Sequence, residues 1–129
     1  MSNIRLTVVV RKDLNMPAGL LAAQVAHMSD AFMRTLIIEN ERETVLVPTS
    51  QEAEWCRDPY LSVLAVDCYE DLLEIVDHIK RESLPYSKWH DTIPSPTFEG
   101  KAINAFVGIA IGPADFDAIK IVTNGLQLY

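Results

Sequence analysis

Asp13, Gln24, His27 and Asp91 are the side chains of this 129-residue sequence whose types and spacing could do chemistry together. A carboxylate beside an imidazole can orient a water molecule as a general base. Backbone donors or a nearby cation would then hold the oxyanion formed when that water attacks a carbonyl. On a helix, which turns about 100° per residue, positions 20, 24, 27 and 31 fall within about 60° of one another. Leu20, Gln24 and His27 therefore share a face, beside an apolar stripe of Leu21, Val25, Met28, Phe32 and Leu36. Plainer roles are open to each residue. His27 and Gln24 would serve as hydrogen-bonded packing groups, and Asp91 as an Asx-turn residue before Thr92. Asp13 would be a weak partner of Arg11 or Lys12 at a solvated strand end. His78 and His90 show no metal-ligand spacing and read as surface or turn residues.

The β-branched run ending in Val8, Val9 and Val10 predicts a buried strand over residues 4–10. Pro17 suits the first turn of a helix, with Asn15 as its cap, and helical periodicity runs on to about Asn40. An irregular stretch follows, with a short helix around Gln51–Cys56 and a second strand over 61–68. Glu70 and Asp71 at one end, with Lys80 and Arg81 at the other, match the macrodipole of a helix that buries Leu72, Leu73, Val76 and Ile79. Residues 86–91 read as a third strand, the Pro-rich 92–104 as a surface loop, and 105–112 as a fourth strand. Pro113 opens a last helix that closes near Asn124 and Gly125, leaving 126–129 as a tail.

The order βα(α)βαββα describes an α/β fold. Alternating strands and helices need crossovers, so the first strands should be parallel in a sheet covered on both faces. Val8, Val10, Leu64, Val66, Ile109 and Ile111 are its expected core. In an open sheet of this kind ligands bind beyond the carboxyl ends of the strands, where a helix N-terminus also offers free N–H groups.

Composition bounds the function. The length fits one domain, residues 1–129, that buries roughly two-thirds of its unfolded surface. Hydrophobic content of 49% with 22% charged residues excludes global disorder. Cys56 and Cys68 lie outside any CxxC or Cys/His spacing, which predicts reduced thiols in a cytoplasmic protein and no metal site. The apolar N-terminal run is interrupted by Arg11, Lys12 and Asp13, unlike a signal peptide, and no stretch approaches a membrane span. A formal charge of −7 repels polyanions at long range, so any nucleic-acid contact has to be local.

The blocks "VVVRKDLNMPAGLLAAQVAH" and "GIAIGPADFDAIKIVTNGLQLY" together resemble the type 2 peptidyl-tRNA hydrolase family, with weaker anchors at 61–66 and 89–91. The family's opening motif runs R-x-D-L-x-M-G-K-G-K-x-A-A-Q-x-x-H. Arg11, Asp13, Leu14, Met16, Gly19, Ala22, Ala23, Gln24 and His27 match it, while Ala18 and Leu20 stand at its two lysines and Pro17 at its first glycine. Its Q-D-A-G-R-T corresponds to "HDTIPS": Asp91 matches, the arginine is absent, and Ser95 or Thr97 would supply the hydroxyl. The resemblance implies a three-layer α/β/α sandwich with a mixed four-stranded sheet, order 2-1-4-3 and strand 4 antiparallel. It implies hydrolysis of the ester joining a peptide to tRNA. The catalytic set would be Asp91, His27 and Asp13, with Arg11, Lys12, Gln24, Ser95 and Thr97 binding substrate. Tyr129 closes the second matching block.

Three function classes fit these residues. The first is a peptidyl-tRNA hydrolase without metal or cofactor, with tRNA as its partner, no membrane, and assembly open between monomer and homodimer. The second is a catalytically silent member of the fold that binds a small anionic ligand or a protein. The third is a hydrolase of a smaller ester. The extent of the match favours the first, and the missing lysines and acidic charge favour the other two.

Overall fold

The computed structural model describes residues 2–32 and 50–129. In chain order its elements are β1 (Ile4–Arg11), α1 (Ala18–Ser29), α2 (Ser50–Arg57), β2 (Leu61–Val66), α3 (Tyr69–Arg81), β3 (Tyr86–Pro94), β4 (Ala102–Asp115), α4 (Phe116–Thr123) and β5 (Gln127–Leu128). A single 3-10 turn, Lys12–Leu14, joins β1 to the approach of α1. β1 pairs in parallel with β2, and β4 lies antiparallel between β1 and β3. The α/β class is as the order of elements predicted and the mixed sheet as the resemblance implied, but the sheet has five strands in the order β3-β4-β1-β2-β5. β1 to β4 keep the 2-1-4-3 order, with β3 at one edge of the sheet. The fifth arises because the expected tail pairs Leu128 with Leu64 and Gln127 with Ala65.

Strand alternation divides the core into two layers. Leu6, Val8 and Val10 face α1, in one cluster with Met28 of that helix and with Phe32 just beyond it. Val9, Val66, Ile109 and Ile111 face the other way, against Leu72, Val76 and Ile79 of α3 and Ile119 and Val122 of α4. Two residues expected to be buried fall short: Leu64 is half-buried beside the short β5, and Leu73, on the side of α3 turned away from Leu72, Val76 and Ile79, is exposed. Val8 has no exposed surface. Val8→Ala should therefore cost about 1–3 kcal/mol, read as a lower denaturation midpoint, through lost transfer energy and an unfilled gap.

Several boundaries differ from the sequence reading; β2, for one, ends at Val66 and not at residue 68. The expected loop 92–104 is strand at both ends, leaving only 95–101 as loop, because Thr92 pairs with Asn104 and Ile93 with Ile103, and Ile93 is buried. Pro113 does not open the last helix. β4 passes through it to Asp115, held by pairing of Ala114 with Arg5 and of Asp115 with Ile4. The Asp115 carboxylate then caps α4 by accepting the Asp117 N–H. At the first corner Asn15 adopts a left-handed conformation (φ 49°) that closes the 3-10 turn, and Pro17 takes the N-cap position of α1. α1 closes at Ser29, capped by Asp30, and Ala31 and Phe32 are helical again, so the expected helical run is interrupted at Asp30. Leu36 and residues 33–40 lie outside the described residues.

Candidate active site

β1 and β4 pair only as far as Val10 with Gly108, whereas β3 follows β4 on to Ala102. The β3–β4 hairpin thus overhangs the carboxyl end of β1, on the flank where α1 begins. A register shift falls between Trp89 and His90: Trp89 opposes Gly108 and His90 opposes Phe106, leaving Val107 as the extra residue. The shift reverses the alternation along β4. Ile103, Ala105 and Val107 face α1 before it and Ala110 after it, while Phe106, Ile109 and Ile111 face α3. Bulges of this kind re-aim side chains and recur beside functional sites. Gly108 lets β4 approach closely here, because a Cβ would lie 2.4 Å from the Val9 carbonyl oxygen and 2.9 Å from Met28 Sδ.

Asp91 stands in this overhang, paired with Ala105 inside β3 rather than ending the strand as expected. Gln24, from the second turn of α1, is only 2% exposed and donates from Nε2 to Asp91 Oδ2 at 2.9 Å. The Thr92 N–H donates to the other carboxylate oxygen at 2.8 Å. The Gln24 bond first, then the Thr92 N–H, hold the Asp91 carboxyl below its ordinary range; partial burial opposes them and the charge of His27 assists. Trp89 donates its indole N–H to Gln24 Oε1. His27, one turn after Gln24 and exposed, stacks on the Trp89 ring with centroids 4.9 Å apart and planes at 18°. A half-buried, ionised carboxylate with lone pairs left over, beside an exposed imidazole, can orient a water molecule and take its proton.

The other expected site residues lie in different settings. Arg11 holds Asp13 through two bonds, Nε to Oδ1 at 3.0 Å and Nη2 to Oδ2 at 2.8 Å, and its guanidinium sits 5.6 Å from the Tyr69 ring centroid. Asp13 is therefore paired with Arg11, not bonded into the Asp91 group. Lys12 lines a cleft of about 370 Å³ with Asp67, Asp71 and Glu74. Ser95 and Thr97 organise the hairpin tip: Ser95 Oγ accepts the Thr97 and Phe98 N–H groups and lies 3.3 Å from Thr97 Oγ1. Leu20 is half-buried and packs on the α1 side of the core. Trp89 was missed by the motif reading, although strand periodicity puts it, two residues before Asp91, on the same face. His90 stacks on Phe106 on the opposite face of the sheet. Among the described residues no three His, Cys, Asp or Glu side chains gather to hold a metal ion, and no helix is long and apolar enough to cross a membrane.

The chain matches known proteins along nearly its whole length. The family model for peptidyl-tRNA hydrolase PTH2 matches residues 4–129. The peptidyl-tRNA hydrolase of Metallosphaera sedula is 30% identical over 125 residues, covering 97% of this chain and 99% of that protein. That of Methanococcus maripaludis is 30% identical over 123 residues, covering 94% and 95%. The mitochondrial peptidyl-tRNA hydrolase 2 of Bos taurus is 33% identical over 125 residues; the match covers 97% of this chain but 64% of the bovine protein's length. A solved structure of a protein of unknown function from Agrobacterium tumefaciens shares the fold, with a TM-score of 0.58, 18% identity, and coverage of 100% and 99%.

Proposed function

The chain belongs to the PTH2 peptidyl-tRNA hydrolase family, and from that premise we propose that it hydrolyses the ester joining a peptide to the terminal ribose of tRNA, using Asp91, Gln24 and His27. The observation that carries this reading is the buried Gln24 amide donating to Asp91, which keeps an ionised carboxylate at the overhanging edge of the sheet. Asp91 orients a water and accepts its proton as the new C–O bond forms. The tetrahedral intermediate collapses with cleavage of the bond to the ribose oxygen, and His27 supplies the proton that this leaving oxygen takes up. The products are a peptide carboxylic acid and tRNA with its ribose hydroxyl restored. The whole chain acts as one hydrolase domain, in the cytoplasm, with no cofactor; Arg11 and Asp13 shape the end of β1, and Ser95 and Thr97 set the hairpin tip against the acceptor end.

Leu20 and Ala18 favour slow turnover, because neither can balance the charge that develops on the oxyanion. They also support a second reading, a family member that binds the acceptor end without cleaving it. Both readings require contact with a polyanion by a protein of net charge −7. That contact falls to exposed cations, of which Lys12, Lys88 and Lys101 are the candidates. Affinity for tRNA should therefore drop by orders of magnitude between about 50 and about 200 mM salt if several phosphates are neutralised. Filter binding or fluorescence anisotropy measures this directly. Tight binding that does not change with salt would contradict it.

A further inference from the structure

We propose that Trp89 is a positioning residue of this site, whose indole N–H fixes the Gln24 amide in the one orientation that presents a donor to Asp91 while its ring carries His27. The proposal rests on the hydrolase reading above for the meaning of Asp91, but its geometry stands apart from the substrate. An amide group has a donor end and an acceptor end of nearly the same shape, and only its partners decide which way it faces. The indole nitrogen can only donate. Bonded to Gln24, it therefore requires Oε1 on its own side and leaves Nε2 to face Asp91 Oδ2 at 2.9 Å. Reversed, the amide would turn an oxygen toward the carboxylate and a donor toward the indole N–H. Gln24 is 2% exposed, so water could not relieve either clash.

The same ring supports the second catalytic group. His27 lies against Trp89 with planes only 18° apart, so the indole face limits where the imidazole can turn. One side chain thus sets the direction of the donor to Asp91 and the plane of His27. Its position on β3 follows from the register shift, which falls just after Trp89, opposite Gly108. The groups facing Asp91 from the neighbouring elements are few. From α1 they are Gln24 and His27, and β4 places Ala105 opposite Asp91 and the uncharged Asn104 opposite Thr92. Among the described residues, His27 is thus the titratable side chain that acts on it.

Two variants separate the indole donor from the bulk of the ring. Benzothienylalanine introduced at position 89 keeps the bicyclic shape and replaces the N–H by sulfur; Trp89→Phe keeps a stacking face and removes the rest. The titration of Asp91 is followed by carboxyl-carbon nuclear magnetic resonance in the free protein, and hydrolysis of N-acyl-aminoacyl-tRNA is followed against pH. Loss of the donor should free the Gln24 amide, so the Asp91 midpoint should rise toward the ordinary value of about 3.9. The acid limb of the rate profile should rise with it, and kcat should fall about tenfold at neutral pH. Folding should be unchanged in the benzothienyl protein. A midpoint left where it is in the unmodified protein, with or without a loss of thermal stability, would make Trp89 a packing residue and overturn the proposal. Absence of hydrolysis by the unmodified protein would count against the hydrolase reading alone, since the Asp91 midpoint decides the role of Trp89 without substrate.

Discussion

Replacement of Asp91 by asparagine is expected to lower turnover of peptidyl-tRNA by roughly 10²-fold or more, the usual contribution of a positioned general base. The substitution keeps the shape and removes the charge. Asp91 receives donors on both carboxylate oxygens, from Gln24 Nε2 and from the Thr92 N–H. An asparagine has one oxygen to offer them, and burial decides which donor receives it. Gln24 is buried, so the amide oxygen should turn to it, leaving the exposed Thr92 N–H to water. The melting temperature should consequently move little. Unchanged turnover would remove Asp91 from the catalytic set, and a large loss of stability with unchanged kcat per folded molecule would identify it as a turn residue.

Leu20→Lys is expected to act in the opposite direction. Leu20 precedes Gln24 by one helical turn and packs, half-buried, on the α1 side of the core. Removing one donor from an oxyanion site typically costs about 2.7–4 kcal/mol of transition-state stabilisation, and a leucine at a lysine position begins with that deficit. A lysine can lay its stem over the same apolar patch and keep its amine in water, so the change should be tolerated. Turnover should rise by about 10²-fold if Asp91 and His27 are competent, measured at equal salt with folding confirmed by circular dichroism. Natural turnover equal to that of lysine-bearing relatives would mean that another cation already does this work. No gain in a well-folded variant would mean that the corner keeps its shape without its reaction.

The parts of this molecule legible in its sequence are those set by local pattern. Val8 and Val10 alternate with Val9, and the two sets face different helical layers. The macrodipole charges at the ends of 69–81 mark a helix that is there. Helical spacing puts Gln24 and His27 on one face, and the family motif gives them their expected roles. What was not legible depends on pairing between distant segments. Whether Thr92 and Ile93 are loop or strand is decided by Asn104 and Ile103 across the hairpin. Pro113 looks like a helix start until Ala114 and Asp115 are seen to pair with Arg5 and Ile4. The two-residue β5 exists only because the edge of β2 is there to receive it. Trp89 lay one strand period from Asp91, yet its value comes from a buried amide 65 positions away in the chain, which no local pattern encodes.

Cleavage of the peptidyl-tRNA ester at the corner of Asp91, Gln24 and His27 is the activity proposed for this protein. It is tested most directly by giving the purified natural protein N-acyl-aminoacyl-tRNA and, separately, a small acyl ester of comparable reactivity at the same salt, and measuring the deacylated tRNA and free acid released. Enzyme-dependent release of deacylated tRNA is expected, slow beside lysine-bearing relatives, with no comparable turnover of the small ester. Cleavage of the small ester alone, or binding of tRNA with no release above the spontaneous rate, would contradict it.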